Sequence, residues 1–321
     1  MHAVFLDQKT FSDQLSFNAI KDQVTELTCY PLTTEKQVLS HCQDADIIIT
    51  NKVRLTKEVL NQLPKLSLIC IAATGTNNVD LITAKNLGIT VSNVRGYSTP
   101  SVTQYVFAQI LAYFSQTHQH DNNVKEGRWQ THHSFCYHGD GSTEISEKTL
   151  AIVGYGELGK GVAKVANAFG MKVLVAERPN ANKIREGRVS FTCALQQADV
   201  LTLHCPENEQ TKGLINTDSL ALMKPTAMLI NTARGAIIDN IALIKALKNK
   251  RIAYAALDVL DQEPPPAEHP LLQYKLQNNN SNLSITAHIA WASIESQQRL
   301  LNLIAQNIAD FKVGKTTNCV V

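Results

Sequence analysis

The sequence predicts an α/β protein of two doubly wound parallel-sheet domains. Three observations carry that expectation. Short apolar, strand-like runs alternate with segments of helical spacing along nearly the whole chain. Such alternation builds a parallel sheet with helices on both faces. At 321 residues the chain is longer than one hydrophobic core usually serves. A polar, glycine-broken stretch at 119–148, "QHDNNVKEGRWQTHHSFCYHGDGSTEISEK", also separates two series of strand–helix units and reads as a connector between domains.

In order, "HAVFLD" and "TELTCYP" read as strands, "TEKQVLSHC" as a helix and "ADIIITN" as a short buried strand. "TKEVLNQL" has helical spacing, "LSLICIAAT" is an apolar strand, "VDLITAKNLG" is a helix closed by Gly88, and "ITVSNV" is the next strand. One long helix is expected over 99–118, with Pro100 in its first turn, where the missing N–H does no harm. The second series begins with "TLAIVGYGELGKGVAKVANAFGMKVLVAE". It continues through "DVLTLHCP", "AMLINTA", "NIALIKALKNK", "IAYAALDV" and "LSITAHI" to a final helix, "SIESQQRLLNLIAQNIADFKVG". "QNNNSN" reads as a surface turn.

Composition narrows the function classes. A 44% apolar fraction, 18% charged residues and a formal charge of +2 suit a soluble globular protein and argue against a clustered basic face for nucleic acid. No run of about eighteen apolar residues and no basic-plus-apolar leader points to a membrane or to secretion. Seven scattered cysteines without a C-x-x-C pair read as free thiols in a reducing compartment, the cytoplasm.

"VGYGELG" places Gly154, Gly156 and Gly159 as G-x-G-x-x-G between an apolar strand, Leu150–Val153, and a helix, Leu158–Phe169. The next strand, "KVLVAE", ends in Glu177, 23 positions after Gly154. The physics of a dinucleotide site needs each part. The first glycine permits the tight turn, the second lets a pyrophosphate approach the backbone, and the third lets helix and strand pack closely. The helix N-terminus then offers N–H groups to the anion. Glu177 can accept from both ribose hydroxyls and repels a 2′-phosphate, so NAD is the expected cofactor. Arg178 beside it could hold such a phosphate and leaves NADP open.

Three charged or titratable residues follow strands of this second series. Arg234 follows "AMLINTA", Glu263 lies in "DVLDQEPP", and His288 ends "LSITAH". Strand ends of a doubly wound sheet gather ligands, so residues 29 and 25 positions apart can converge. Arginine holds a carboxylate in a planar fork. Histidine exchanges a proton near neutrality. A glutamate hydrogen-bonded to an imidazole fixes its tautomer and favours the protonated ring.

With "HCP" (His204–Pro206), "INTARGAIID", "ALDVLDQEPP" and "AHIAWAS" following "VGYGELG" in this order, the chain resembles the D-isomer-specific 2-hydroxyacid dehydrogenase family over nearly its whole length. The resemblance implies that Arg234 binds substrate and that Glu263 pairs with His288, the acid/base. It implies cofactor contacts from Gly154, Gly156, Glu157, Leu158, Gly159, Glu177, Arg178, His204, Cys205, Pro206, Thr211, Thr232, Ala233 and Asp258. It implies a Rossmann-type cofactor domain over 99–289, inserted in a flavodoxin-like substrate domain of 1–98 and 290–321, with the active site in the cleft. "ATGTNNVD" resembles the family's substrate loop, with Thr74, Gly75 and Thr76 as carboxylate binders. "GYSTPSVTQYVFA", "SFCYHG" and "VLVAERP" look most like glycerate dehydrogenases, also called hydroxypyruvate reductases. A homodimer and a small 2-oxo or 2-hydroxy acid partner are implied, and glyoxylate is a further candidate. Lys52 and Arg54 in "TNKVRLT" differ from the arginine arrangement of phosphoglycerate-specific relatives, which favours an unphosphorylated substrate. Pro100 and "HGDGSTEIS" depart from the family pattern.

Two other readings stay open. One is another side-chain specificity, for D-lactate, erythronate phosphate, a branched acid or a phosphoglycerate-like substrate; the other is a dinucleotide-sensing corepressor-like binding protein. The loop "HHSFCYH", with His132, His133, Cys136 and His138, matches no standard zinc spacing and reads as a surface or interface loop. No metal is expected. Cys205 has no evident activating base.

Overall fold

A computed structural model describes residues 1–277, 282–315 and 317–321; four of the six residues of "QNNNSN" lie outside them. The chain divides into two compact units, Met1–Ser98 with Trp291–Val321, and Thr99–Ala290.

The first unit holds strands β1 (His2–Phe5), β2 (Glu26–Cys29), β3 (Ile47–Thr50), β4 (Leu68–Ile71) and β5 (Thr90–Ser92). Short helices α1 (Asn18–Lys21), α2 (Val38–Cys42), α3 (Lys57–Leu60) and α4 (Leu81–Asn86) connect them. All pairings are parallel and the order is β2-β1-β3-β4-β5, the flavodoxin-like order. β3 and β4 are buried at every position, which is why they read as unbroken apolar runs rather than alternating ones. Asp80 caps α4 by accepting from the Thr83 N–H.

The second unit begins with α5 (Thr99–Ser115) and α6 (Thr117–Lys125). The single helix expected over 99–118 is broken at Gln116, whose left-handed backbone (φ 47°) ends one helix and starts another. The connector expected at 119–148 therefore opens with helix. Its sequence, "THQHDNNVK", has no apolar stripe to announce it.

Then come β6 (Thr149–Val153), α7 (Glu157–Ala168), β7 (Lys172–Ala176), α8 (Phe191–Gln197), β8 (Val200–Leu203), α9 (Thr217–Leu222) and β9 (Met228–Asn231). α10 (Asn240–Lys248), β10 (Tyr254–Leu257), α11 (Pro270–Gln277) and β11 (Leu283–Ile285) complete the unit. The parallel sheet runs β11-β10-β9-β8-β6-β7. A classic six-strand dinucleotide fold has one more strand beyond β7. Here that strand is reduced to one parallel bridge, Ala176 to Val189. α5 and α7 pack closely because Gly161 lacks a side chain; a Cβ there would lie 2.6 Å from Thr99 Cγ2.

The last helix, α12 (Ile294–Lys312), returns to the first unit and buries Leu300, Leu301, Ile304 and Ile308 against β1, β3 and β4 residues. Among the described residues no helix is long and apolar enough to cross a membrane.

Candidate active site

The reversal of strand order between β6 and β8 opens a crevice at their carboxyl ends, where open α/β sheets bind ligands. Gly154 turns the chain out of β6 with φ +95°, and a Cβ on it would lie 2.5 Å from the Cys205 N and His204 C atoms of the neighbouring strand end. Gly159 is equally constrained, since a Cβ there would sit 2.2 Å from the Gly154 carbonyl oxygen. A Cβ on Gly156 would meet nothing within 4 Å. That difference suits a dinucleotide: two glycines close the turn, and the third keeps the N-cap of α7 open to a phosphate. Glu157 and Leu158 form the first turn of that helix.

A cavity of 390 Å³ at this end is lined by Gly154, Tyr155, Gly156, Glu177, Arg178, His204, Cys205, Pro206 and Thr211, with Arg185 and Arg188. The His204 ring meets Thr202 Oγ1 at 2.9 Å and Thr232 Oγ1 at 3.3 Å. Burial drives its pKa down to about 4, so the ring is neutral and adds no charge beside the phosphate turn. Burial pushes the Cys205 thiol up to about 11, which leaves it protonated and suited to packing rather than attack. Thr211 Oγ1 donates to the Pro206 carbonyl at 2.7 Å and fixes the lower rim.

The catalytic candidates sit at the ends of β9, β10 and β11. The Asn231 amide clamps the first of these turns: Oδ1 accepts from the Ala233 N–H at 3.0 Å and Nδ2 donates to the Arg234 carbonyl at 2.8 Å. The Arg234 guanidinium spends one donor on the Ala233 carbonyl, 2.7 Å away. Gly235 follows, pressed so tightly on the β10 loop that a Cβ would lie 1.9 Å from Leu260 C. In that loop Glu263 Oε1 accepts from the Leu260 N–H at 2.9 Å, and Oε2 lies 2.6 Å from His288 Nδ1. A carboxylate only accepts, so the proton shared by this pair sits on Nδ1.

His288 holds a left-handed backbone, φ 55°, which is uncommon for a residue with a side chain. Asp258 imposes it. Its carbonyl accepts from the His288 N–H at 2.8 Å, and its carboxylate accepts from Thr286 Oγ1, Ile289 N–H and Ala290 N–H at 2.6, 2.9 and 2.8 Å. Thr286 spends its one proton on Asp258, so Tyr105 of α5, 2.7 Å away, donates to Thr286. Burial raises the Asp258 pKa and these donors oppose it. A second cavity, 400 Å³, is lined by Asp258, Glu263, Thr286 and His288 with Leu260, Pro264, Leu272 and Ile285.

In the first unit, Thr74 Oγ1 donates to the Val94 carbonyl at 2.8 Å and Asn93 Nδ2 donates to the Thr74 carbonyl at 2.7 Å, which pins the loop carrying Gly75 and Thr76. In the 119–148 connector, Cys136 Sγ lies 3.4 Å from His138 Nε2. Among the described residues no group of three or more is arranged to hold a metal ion.

Sequence reasoning passed over Arg185 and Arg188, which no spacing rule ties to Glu177, and Tyr105, which reads as an ordinary helix position. Gly235 lay in plain view, a glycine directly after the arginine of "INTARGAIID". Tyr155 stands inside the glycine motif, and its place in the cavity wall follows from the turn's direction.

Chemistry of this kind belongs to an oxidoreductase that uses NAD(P). Comparison with known proteins agrees and goes further. Residues 107–290 match the model of the D-isomer specific 2-hydroxyacid dehydrogenase, NAD binding domain. A glycerate dehydrogenase of Methylorubrum extorquens is 40% identical over 287 residues, 89% of each chain. A hydroxypyruvate reductase of Blautia hydrogenotrophica is 36% identical over 292 residues, 90% of this chain and 89% of its own. The solved D-lactate dehydrogenase of Aquifex aeolicus, complexed with NAD and lactic acid, superposes with a TM-score of 0.83 at 27% identity and 99% coverage of both chains. The chain belongs to the D-isomer-specific 2-hydroxyacid dehydrogenase family.

Proposed function

We propose that this dehydrogenase interconverts hydroxypyruvate and D-glycerate, with glyoxylate as a second 2-oxo acid. The observation that carries the reading is the Glu263–His288 pair, 2.6 Å apart at the rim of the second cavity. Similarity to a glycerate dehydrogenase and a hydroxypyruvate reductase supports the choice of substrate. The segment "TNKVRLT", whose Lys52 and Arg54 differ from the arginine arrangement of phosphoglycerate-specific relatives, supports an unphosphorylated acid.

When bound, NAD(P) would supply or accept the hydride at its nicotinamide. His288 Nε2 donates a proton to the carbonyl oxygen as negative charge grows there, and Glu263 holds the ring and stabilises the imidazolium. Arg234 grips the carboxylate with its planar fork. Thr74–Thr76 form the first unit's carboxylate-binding loop. Asp258 sets the backbone that aims His288. Gly154, Gly156, Gly159, Glu157 and Leu158 would hold the pyrophosphate, and Glu177, Arg178, His204, Cys205, Pro206, Thr211, Thr232 and Ala233 would contact the rest of the cofactor. The free state of all seven cysteines supports a cytoplasmic enzyme, and we read its assembly as a homodimer, which light scattering tests.

NADH oxidation with a panel of 2-oxo acids tests the substrate. Hydroxypyruvate should give the highest kcat/KM, with glyoxylate next. A higher value for pyruvate or a branched 2-oxo acid rejects the assignment, and cofactor binding without turnover of any 2-oxo acid favours the sensing alternative.

A further inference from the structure

Glu263 can hold the His288 ring only if the loop that carries it is itself held. Its backbone does little of this. Among the described residues Val259, Leu260, Asp261 and Gln262 make no hydrogen bond from backbone to backbone. Glu263 Oε1 accepts from the Leu260 N–H at 2.9 Å, which closes a turn over residues 260–263. That bond lies within the turn and moves with it, so it does not fix the turn to the rest of the unit. Something else must.

Asp261, inside the turn and two residues before Glu263, is tied on three sides. Its Oδ1 accepts from Asn240 Nδ2 at 2.7 Å, in the first turn of α10, and lies 2.8 Å from His269 Nε2, immediately before α11. A carboxylate only accepts, so the proton shared with His269 sits on Nε2. Its backbone N presses on Gly235, where a Cβ would lie 2.1 Å away. His269 is buried, and its Nδ1 has no hydrogen-bond partner among the described residues, so Asp261 is the polar anchor of that ring. Burial raises the Asp261 pKa, but the donors His269 and Asn240 outweigh it and leave the carboxyl below its ordinary value. Hydrogen bonds to an ionised acceptor are about twice as strong as neutral ones.

One carboxylate oxygen thus joins the turn to the helices that follow β9 and β10. His288 is held separately, by Asp258. We infer that Asp261 is the positioning residue of the acid/base pair: with Asn240 and His269 it fixes the turn that presents Glu263 to His288, and it acts on the reaction only through Glu263. The inference rests on the acid/base reading of Glu263 and His288 and adds the group that aims the carboxylate.

The test measures kcat, KM and NADH affinity with the 2-oxo acid that the parent turns over best. The enzymes are the parent, Asp261→Ala, Asp261→Asn, Glu263→Ala and the double variant Asp261→Ala/Glu263→Ala. Asp261→Ala should lower kcat by about tenfold, part of the 10²-fold that a misplacement of about 1 Å can cost, with NADH affinity kept. Asp261→Asn keeps a carbonyl oxygen for both donors and should recover most of that loss. In the Glu263→Ala enzyme, adding Asp261→Ala should leave kcat within about twofold, because the group it positions is gone. A purely stabilising residue would lower the melting temperature without this dependence on Glu263. A fall of less than about fivefold in Asp261→Ala overturns the inference, as does a full further loss in the double variant or an asparagine variant no better than alanine. If Asp261→Ala does not fold, Asn240→Ala, which removes one donor, takes its place: kcat should fall about threefold beside Glu263 and not at all beside Glu263→Ala, and any other pattern overturns the inference. Parental kcat in Glu263→Ala rejects the acid/base reading and this inference together, whereas a slow Glu263→Ala beside a fast Asp261→Ala rejects the inference alone.

Discussion

Gly235→Ala puts one methyl group where the structure has no room for it. The new Cβ would lie 1.9 Å from Leu260 C, 2.1 Å from Asp261 N and 2.3 Å from Leu260 O, all backbone atoms. Ordinary contact begins at 3.4 Å, so the β10 loop must retreat by roughly 1.5 Å, the difference between 3.4 and 1.9 Å. Glu263 moves with that loop, because its Oε1 is bonded to the Leu260 N–H at 2.9 Å. His288 does not follow, since Asp258 and the end of β11 hold it. The 2.6 Å contact between them therefore opens to about 4 Å, too long for a hydrogen bond. Misplacing a catalytic group by about 1 Å can cost 10²-fold in rate, and we expect kcat to fall about that much. The overpacked turn should also lower stability by about 1–3 kcal/mol. The dinucleotide cavity does not include this loop, so NADH affinity should stay within twofold. Steady-state kinetics, NADH titration and thermal melts test the three statements. A folded Gly235→Ala enzyme with kcat within threefold of the parent would refute the argument that this glycine sets the Glu263–His288 geometry.

His288→Ala should lose about 10²–10⁴ in kcat while binding NADH normally; unchanged turnover removes it from the acid/base role. Arg234→Lys keeps the charge but loses the fork, so KM for the 2-oxo acid should rise and kcat fall, with Arg234→Gln worse on both; a glutamine variant with parental constants would contradict the carboxylate-binding role. His204 is held at about 4, below the 6.5 of a free imidazole, so the unfolded chain takes up its proton first as pH drops. Its contribution to stability is complete above 6.5 and is lost as pH falls from there through about 4. Melting temperatures measured over that window should fall less steeply in His204→Asn than in the parent, and parallel curves would count against the assignment.

Much of this was readable from residues because the physics is local. Strands buried on both faces appear as unbroken apolar runs, as in "IIIT" and "LICI". The glycine turn announces itself because only glycine fits beside His204 and Cys205. Arg234, Glu263 and His288 are legible as charged or titratable residues placed just past strand ends, where the structure puts them. What escaped has no local signal. α6 is a polar helix without a stripe, and α8, α9 and α11 are too short for periodicity to separate them from loops. Asp258 reads as one more cofactor-side acid, yet its backbone-holding role depends on β10 and β11 lying side by side. Arg185 and Arg188 reach Glu177 only because a strand shrinks to one bridge, which composition does not encode.

That vestigial strand bears on how such an enzyme can change over evolutionary time. In a full-length fold the segment that follows this strand is committed to a further strand of the sheet, and altering it disturbs the packing that keeps the domain folded. Here Arg178, Arg185 and Arg188, which line the first cavity beside Glu177, hang on a surface excursion anchored at its two ends, by Glu177 and Val189. Substitutions, and even changes of length, between those anchors leave the apolar interior of the sheet untouched, as surface loops generally allow. That wall of the first cavity thereby becomes adjustable without disturbing the candidate site at the ends of β9, β10 and β11. A lineage can reshape that wall by a few loop changes while the sheet beneath it stays the same.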